Sequence, residues 1–142
     1  MAKRLFKFIF IMALAAAMVA AVKFSNDASP LFFYADSLEV YTLNGSFRQG
    51  VDAVRAEYPF IGNKTGESCT IAKHCSDTPS EIAGKLSGEI LFAERTEAGV
   101  SYYGFSDKIR YKVTLGGKAV NFQIFEGVSE VKIGLPVIFG GY

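Results

Sequence analysis

Tryptophan is absent from this chain, histidine occurs once (His74) and cysteine twice (Cys69 and Cys75) in 142 residues. Two cysteines exclude a disulfide-rich scaffold, in which cross-links stand in for a core. With one histidine, no Ser/His/Asp set can be named on spacing. Proline is scarce, at 4, and the 14 glycines follow no triplet period, so the chain is not collagen-like. It also lacks an excess of either charge: 15 basic and 14 acidic residues leave +1. A nucleic-acid-binding domain wants a strongly basic balance, so no nucleic-acid partner is expected. What is present suits one folded domain: 50% of residues are hydrophobic and 14% aromatic, which argues against disorder.

The overall +1 hides an asymmetry. Lys3, Arg4, Lys7 and Lys23 fall in the first 23 residues with no acid among them; the remainder carries 11 basic and 14 acidic residues, 11 − 14 = −3. After that basic start comes an apolar run from Phe8 to Val22, followed by polar residues. The pattern reads as a secretory signal peptide or, with Leu5 and Phe6 added to the run, as an uncleaved membrane anchor. Small residues offer cleavage after Ala21 or Ala28, and Ala35 offers a later site. Positive charges ahead of the run hold that end in the cytoplasm and place the rest outside. The expected organisation is therefore 1–28 as signal peptide or anchor and 29–142 as a single extracytoplasmic domain. No cysteine follows the run closely enough for a lipid anchor, and no Gly-x-x-x-x-Glu precedes it as in a type IV pilin.

Leu38 to Leu43 alternates as a strand and stops at Asn44-Gly45. Phe47, Val51, Val54 and Tyr58 recur at helical spacing and predict a helix ended by Pro59. Gly62-Asn63-Lys64-Thr65-Gly66 reads as a turn, since a phosphate loop needs Gly-Lys-Ser/Thr opening a helix. Glu67 to Ala72 suits a strand. Thr78-Pro79-Ser80-Glu81 carries a helix start, with Thr at the N-cap, Pro first inside and Glu third, so that side chains satisfy otherwise orphaned amides. Ile82 and Leu86 then face a core.

Strands follow at Ile90–Glu94 and Val100–Phe105. Ile109, Tyr111, Val113 and Leu115 alternate with Lys108, Arg110, Lys112 and Thr114 up to a Gly116-Gly117 hairpin turn. Folding about that turn pairs Val113 with Val120, Tyr111 with Phe122 and Ile109 with Ile124. A third strand sets Ile124 opposite Val131. Because one strand residue turns both its polar backbone groups to the same side, these two pairings predict a four-residue loop, Glu126–Ser129, closed by Phe125 and Glu130. Pairing should end near Leu135, because Pro136 has no amide hydrogen to give. The expected fold class is α+β: an antiparallel sheet, a meander in its C-terminal half, with one or two helices packed on one face.

Two constellations carry chemical possibilities. Cys69, His74 and Cys75 lie within seven residues. A Cys69–Cys75 disulfide, two unpaired thiols, or a thiol redox or metal-dependent enzyme using the cluster all stay open, although the spacing fits no zinc pattern. The second is basic. In the register above, Lys108, Arg110, Lys112 and Lys132 share the outward sheet face, which suits an anionic membrane surface or wall polymer. The same lysines would also serve simply to keep a strand face soluble. No catalytic set, metal site or cofactor is expected, and the oligomeric state is not readable.

The stretch from Ser101-Tyr102-Tyr103-Gly104-Phe105-Ser106, through Gly117-Lys118-Ala119-Val120-Asn121-Phe122-Gln123-Ile124, to Gly134-Leu135-Pro136-Val137-Ile138-Phe139-Gly140-Gly141-Tyr142 resembles small exported proteins of spore-forming Gram-positive bacteria of the YwmB kind. Those have a TATA-box-binding-like fold, so the resemblance implies an antiparallel sheet with helices and brings no catalytic residue. The expectation is an extracytoplasmic, non-enzymatic binding or structural module, secreted or membrane-tethered, with the exported thiol or metal enzyme as the alternative.

Overall fold

The computed structural model describes residues 9–20 and 29–139. Residues 9–20 form a helix, α1, whose side chains are exposed throughout. Among the described residues no helix is long and apolar enough to cross a membrane. The remaining elements are β1 (Ser37–Thr42), β2 (Gly45–Gly50), α2 (Val51–Glu57), β3 (Lys64–Ala72), α3 (Pro79–Lys85), β4 (Gly88–Arg95), β5 (Gly99–Ser106), β6 (Val113–Leu115), β7 (Lys118–Val120), β8 (Phe122–Gly127) and β9 (Glu130–Leu135). Single 3-10 turns occupy Pro30–Phe33, Tyr58–Phe60 and Lys73–Cys75. Seven strands make one antiparallel sheet in the order β2-β1-β3-β9-β8-β5-β4, and β6 and β7 pair separately. The fold is α+β, as expected.

One face of the sheet builds the core. Side chains alternate across a strand, so Leu38 and Val40 of β1, Cys69 and Ile71 of β3, Val131, Ile133 and Leu135 of β9, and Phe122 and Ile124 of β8 turn the same way. Val54 of α2 and Ile82 and Ala83 of α3 cover them. The start of α3 is the reciprocal cap read from the sequence: the Glu81 amide donates to Thr78 Oγ1 (3.4 Å) and the Thr78 amide to Glu81 Oε2 (2.8 Å). Phe122 lies across bare backbone. A Cβ on Gly104 would sit 2.0 Å from its ring and one on Gly88 2.6 Å, so glycine is required where strands β5 and β4 pass beneath it.

The opposite face is covered in part by residues 136–139, after β9. Gln123 Nε2 donates to Ser101 Oγ (3.2 Å), while its Oε1 accepts from the Ile138 amide (3.0 Å). Phe139 meets Tyr41 edge-on at 4.9 Å. Strand β9 does end at Leu135, and the segment from Pro136 leaves the ladder to cross this face.

Three expectations need correction. The helix over Phe47–Tyr58 starts only at Val51, because the β1–β2 hairpin continues through Phe47, which pairs with Val40. The turn at Gly62–Gly66 is confined to Gly62 and Asn63, whose φ of 54° reverses the chain, and Lys64 already belongs to β3. The long hairpin about Gly116-Gly117 is a short one. Val113 pairs with Val120, but Phe122 pairs with Gly104 and Ile124 with Tyr102 of β5. The break is at Asn121, which is buried: its Oδ1 accepts from the Ser106 amide (2.8 Å), and its Nδ2 donates to the carbonyls of Ser106 (2.5 Å) and Ile109 (3.2 Å). Those bonds carry the chain from one sheet into the other. With β6 no longer beside β8, the parity constraint disappears. The β8–β9 turn is then Val128-Ser129, and Ile124 stands opposite Ile133, two residues from the expected register but on the same face.

Candidate functional site

The geometry that singles out one region begins with the two ladders of β3. The Lys73 amide donates to the Ser129 carbonyl (3.0 Å) just beyond β3, which fixes the phase of the pairing with β9. Cys69 and Ile71 therefore turn their polar backbone groups toward β9, and Ser68, Thr70 and Ala72 turn theirs toward β1. On that second side the ladder stops early. Glu39 pairs with Ser68, but Leu38 and Cys69 form no pair. On its other side β1 stays paired: Ser37 stands opposite Gly50 and the Val51 amide donates to the Asp36 carbonyl (2.8 Å), so residues 36 and 37 keep the β2 side as a neighbour where β3 has lost its pairing.

The gap is a cleft of about 480 Å³. Phe32, Phe33, Tyr34 and Asp36 form one wall, and Thr70 to Ala72 form the other, with Cys75 at the end. A second hollow of about 240 Å³ adjoins it at Tyr34, Ile71 and Cys75, and is rimmed by Asp77 and Lys85. Asp77 is paired with Lys85 at 2.5 Å, whereas the exposed Asp36 carboxylate has no ion-pair partner among the described residues. Phe33 is 89% exposed at the mouth. Burial pushes the Tyr34 hydroxyl up to about 12, with nearby Asp77 adding to it, so Tyr34 brings no charge to this wall.

Of the readings left open for the cysteines, the structure has the unpaired thiols: both are free. Cys69 is buried in the sheet core, where desolvation pushes its thiol up to about 12, with the Glu67 charge a lesser cause. It is a poor nucleophile and metal ligand in that state. His74 and Cys75 lie past the end of β3 and are exposed. The three therefore do not converge. Among the described residues no group of three His, Cys, Asp or Glu side chains is placed to hold a metal.

The four cations do not share a sheet face. Lys108 is in a turn, and Arg110 and Lys112 are in an extended segment outside the sheet. Their alternation survives there: Ile109 and Tyr111 pack into the core while Lys108, Arg110 and Lys112 are exposed. Lys132 lies elsewhere, between Thr70 and Phe125 on the far face of the sheet, paired with Glu130 Oε1 at 3.2 Å.

The sequence reading missed a buried acid. Glu67 is fully enclosed on the core face, accepting from the Tyr58 hydroxyl (2.9 Å), which in turn lies 3.3 Å from the Tyr111 hydroxyl. Desolvation raises its carboxyl from 4.5 to about 7, opposed by hydrogen bonds from Ser29 and Tyr58 and by Lys64. Lys64 is held at 4.3 Å over the Tyr58 ring and donates to the Tyr58 carbonyl (2.8 Å). Strand alternation contained the signal, since Glu67 shares parity with Cys69 and Ile71.

No family model, curated protein or solved structure matches the chain.

Proposed function

We propose that the chain is an extracytoplasmic binding module, secreted or tethered by its N-terminal segment, that works through the cleft between Phe32–Asp36 and the end of β3 rather than by catalysis. The observation that carries this reading is the cleft: a hollow of about 480 Å³ with aromatic and polar side chains in its walls, bounded by a strand edge, a shape suited to holding a partner. The separation of buried Cys69 from exposed His74 and Cys75 argues against the thiol or metal enzyme. The basic start and apolar run before residue 23 support the compartment.

Cys75 provides the test, because Cys69 is buried and Cys75 alone is exposed. A membrane-impermeant maleimide applied to intact producing cells should label Cys75, read as a single adduct by intact mass. Labelling only after permeabilisation would overturn the extracytoplasmic reading. The same spectrum gives the mature N-terminus and so separates the secreted from the tethered form.

A second reading is favoured by one observation, the outward row Lys108, Arg110 and Lys112 on a segment whose other side chains enter the core. It would set this row against an anionic lipid or wall surface.

A further inference from the structure

We infer that the cleft takes an extended peptide segment of another protein by strand addition: the ligand pairs with the exposed edge of β3 at Thr70 and Ala72, places an apolar side chain between Phe33 and Ile71, and sets a basic side chain against Asp36. This rests on the cleft being the binding surface, and it names what that surface binds.

The backbone carries the argument. Thr70 and Ala72 direct their amides into the cleft because Cys69 and Ile71 are committed to β9. The missing Leu38–Cys69 pair leaves the Thr70 amide without a β1 partner, and no described loop residue accepts from Ala72. Such amides form a template for an added strand. They border the cleft, with side chains of the Pro30–Phe33 turn in its lining. The walls then supply selectivity. Phe32, Phe33 and Ile71 are apolar. Of the charges around the two hollows, Asp77 and Lys85 neutralise each other and Asp36 is left over. A net negative charge beside the Phe32, Phe33 and Ile71 side chains selects a cation flanking an apolar residue.

The test uses amide hydrogen exchange on the full-length chain in detergent micelles, with acetyl-Lys-Val-Lys-Val-Lys-amide as the probe. In the free chain Thr70 and Ala72 should exchange fast while Cys69 and Ile71 are protected. Saturating peptide should slow Thr70 and Ala72 about tenfold or more and leave Cys69 and Ile71 unchanged. The peptide N-methylated at every backbone nitrogen, which removes the bonds to β3 in either strand direction, should not protect them, and Asp36→Asn should weaken binding at low salt. Binding that survives N-methylation but is blocked by a bulky maleimide adduct on Cys75 would overturn strand addition while leaving the cleft as a binding surface. No binding at all would overturn the inference, and the intact-cell labelling of Cys75 judges the compartment independently. Protection of Thr70 and Ala72 that appears without peptide as protein concentration rises would identify a second copy as the occupant and overturn it as well.

Discussion

The sheet divides into two regions built on different terms. In β4, β5, β8 and β9 the core face is Ile90, Tyr102, Phe122, Ile124, Val131, Ile133 and Leu135, closed by a ring lying on glycine backbone. In β1, β2 and β3 the same face admits Glu67 between Val40 and Leu135, and the β1–β3 ladder ends at Ser68. The first region has an apolar core face, its open edge is the outer side of β4 at the border of the sheet, and its work is to hold the fold. The second keeps a buried acid and, inside the sheet, a stretch of β3 that loses its β1 partner, both of which oppose stability and neither of which packing requires. Features that stability does not need are where a binding role is to be sought.

The largest test of this contrast is Phe122→Ala. The ring is fully buried and its glycine bed cannot fill the space it leaves. The substitution should cost about 3–5 kcal/mol in denaturant unfolding. A cost below about 1 kcal/mol would mean that the C-terminal strands are not the scaffold.

Next comes Glu67→Gln, which probes the other region. The folded carboxyl sits at about 7, above its ordinary 4.5, because burial disfavours the charge. A raised carboxyl binds its proton more tightly when folded. Its contribution is therefore complete below about 4.5, falls as pH rises through the interval to 7, and is gone above it. The interval of 7 − 4.5 corresponds to roughly 3 kcal/mol between pH 4 and pH 8. The difference in unfolding free energy between wild type and Glu67→Gln should follow that window, with the variant gaining relative to wild type as pH rises. A difference independent of pH would show that water reaches the carboxyl and that the two regions are equally dry or equally wet.

A smaller effect separates α3 from the strands beneath it. Thr78→Ala removes the N-cap oxygen that accepts from the helix, and should cost about 1 kcal/mol. Serine should restore most of it. If Thr78→Ala lowered stability as far as Phe122→Ala does, the helix would belong to the scaffold's core rather than cover it.

Much of the better-packed region is legible from residues alone. Gly116-Gly117 forces a turn with φ of 55° and 77°, Thr78 and Glu81 declare a helix start, and alternation in β8 and β9 gives the correct face even where the register is off by two. Alternation names a face, though, not a neighbour. Phe122 and Ile124 satisfy the pattern equally against Tyr111 and Ile109 or against β5, and only the bonds of Asn121 decide between them. The cleft is less legible still. It exists because the β1–β3 ladder stops at Ser68 while β3 runs on to Ala72 and β1 stays paired with β2 back to Ser37. No side-chain pattern encodes where a ladder stops.

The smallest stability effect belongs to the row Lys108, Arg110 and Lys112. All three are exposed while Ile109 and Tyr111 anchor the segment from within. Replacing the three by glutamine should therefore change stability by less than about 0.5 kcal/mol. If the row faces an anionic surface, a second readout moves. In the full-length chain reconstituted into anionic vesicles, amides 108–112 should exchange more slowly than in zwitterionic ones. That difference should vanish at high salt, which screens exposed charges within about a Debye length of 10 Å or less, and should vanish again in the glutamine variant. Equal exchange in both lipids for the wild type would sink that role. The cleft, where an edge opens inside the sheet beside Asp36, would then carry the difference between the two regions without help from that row.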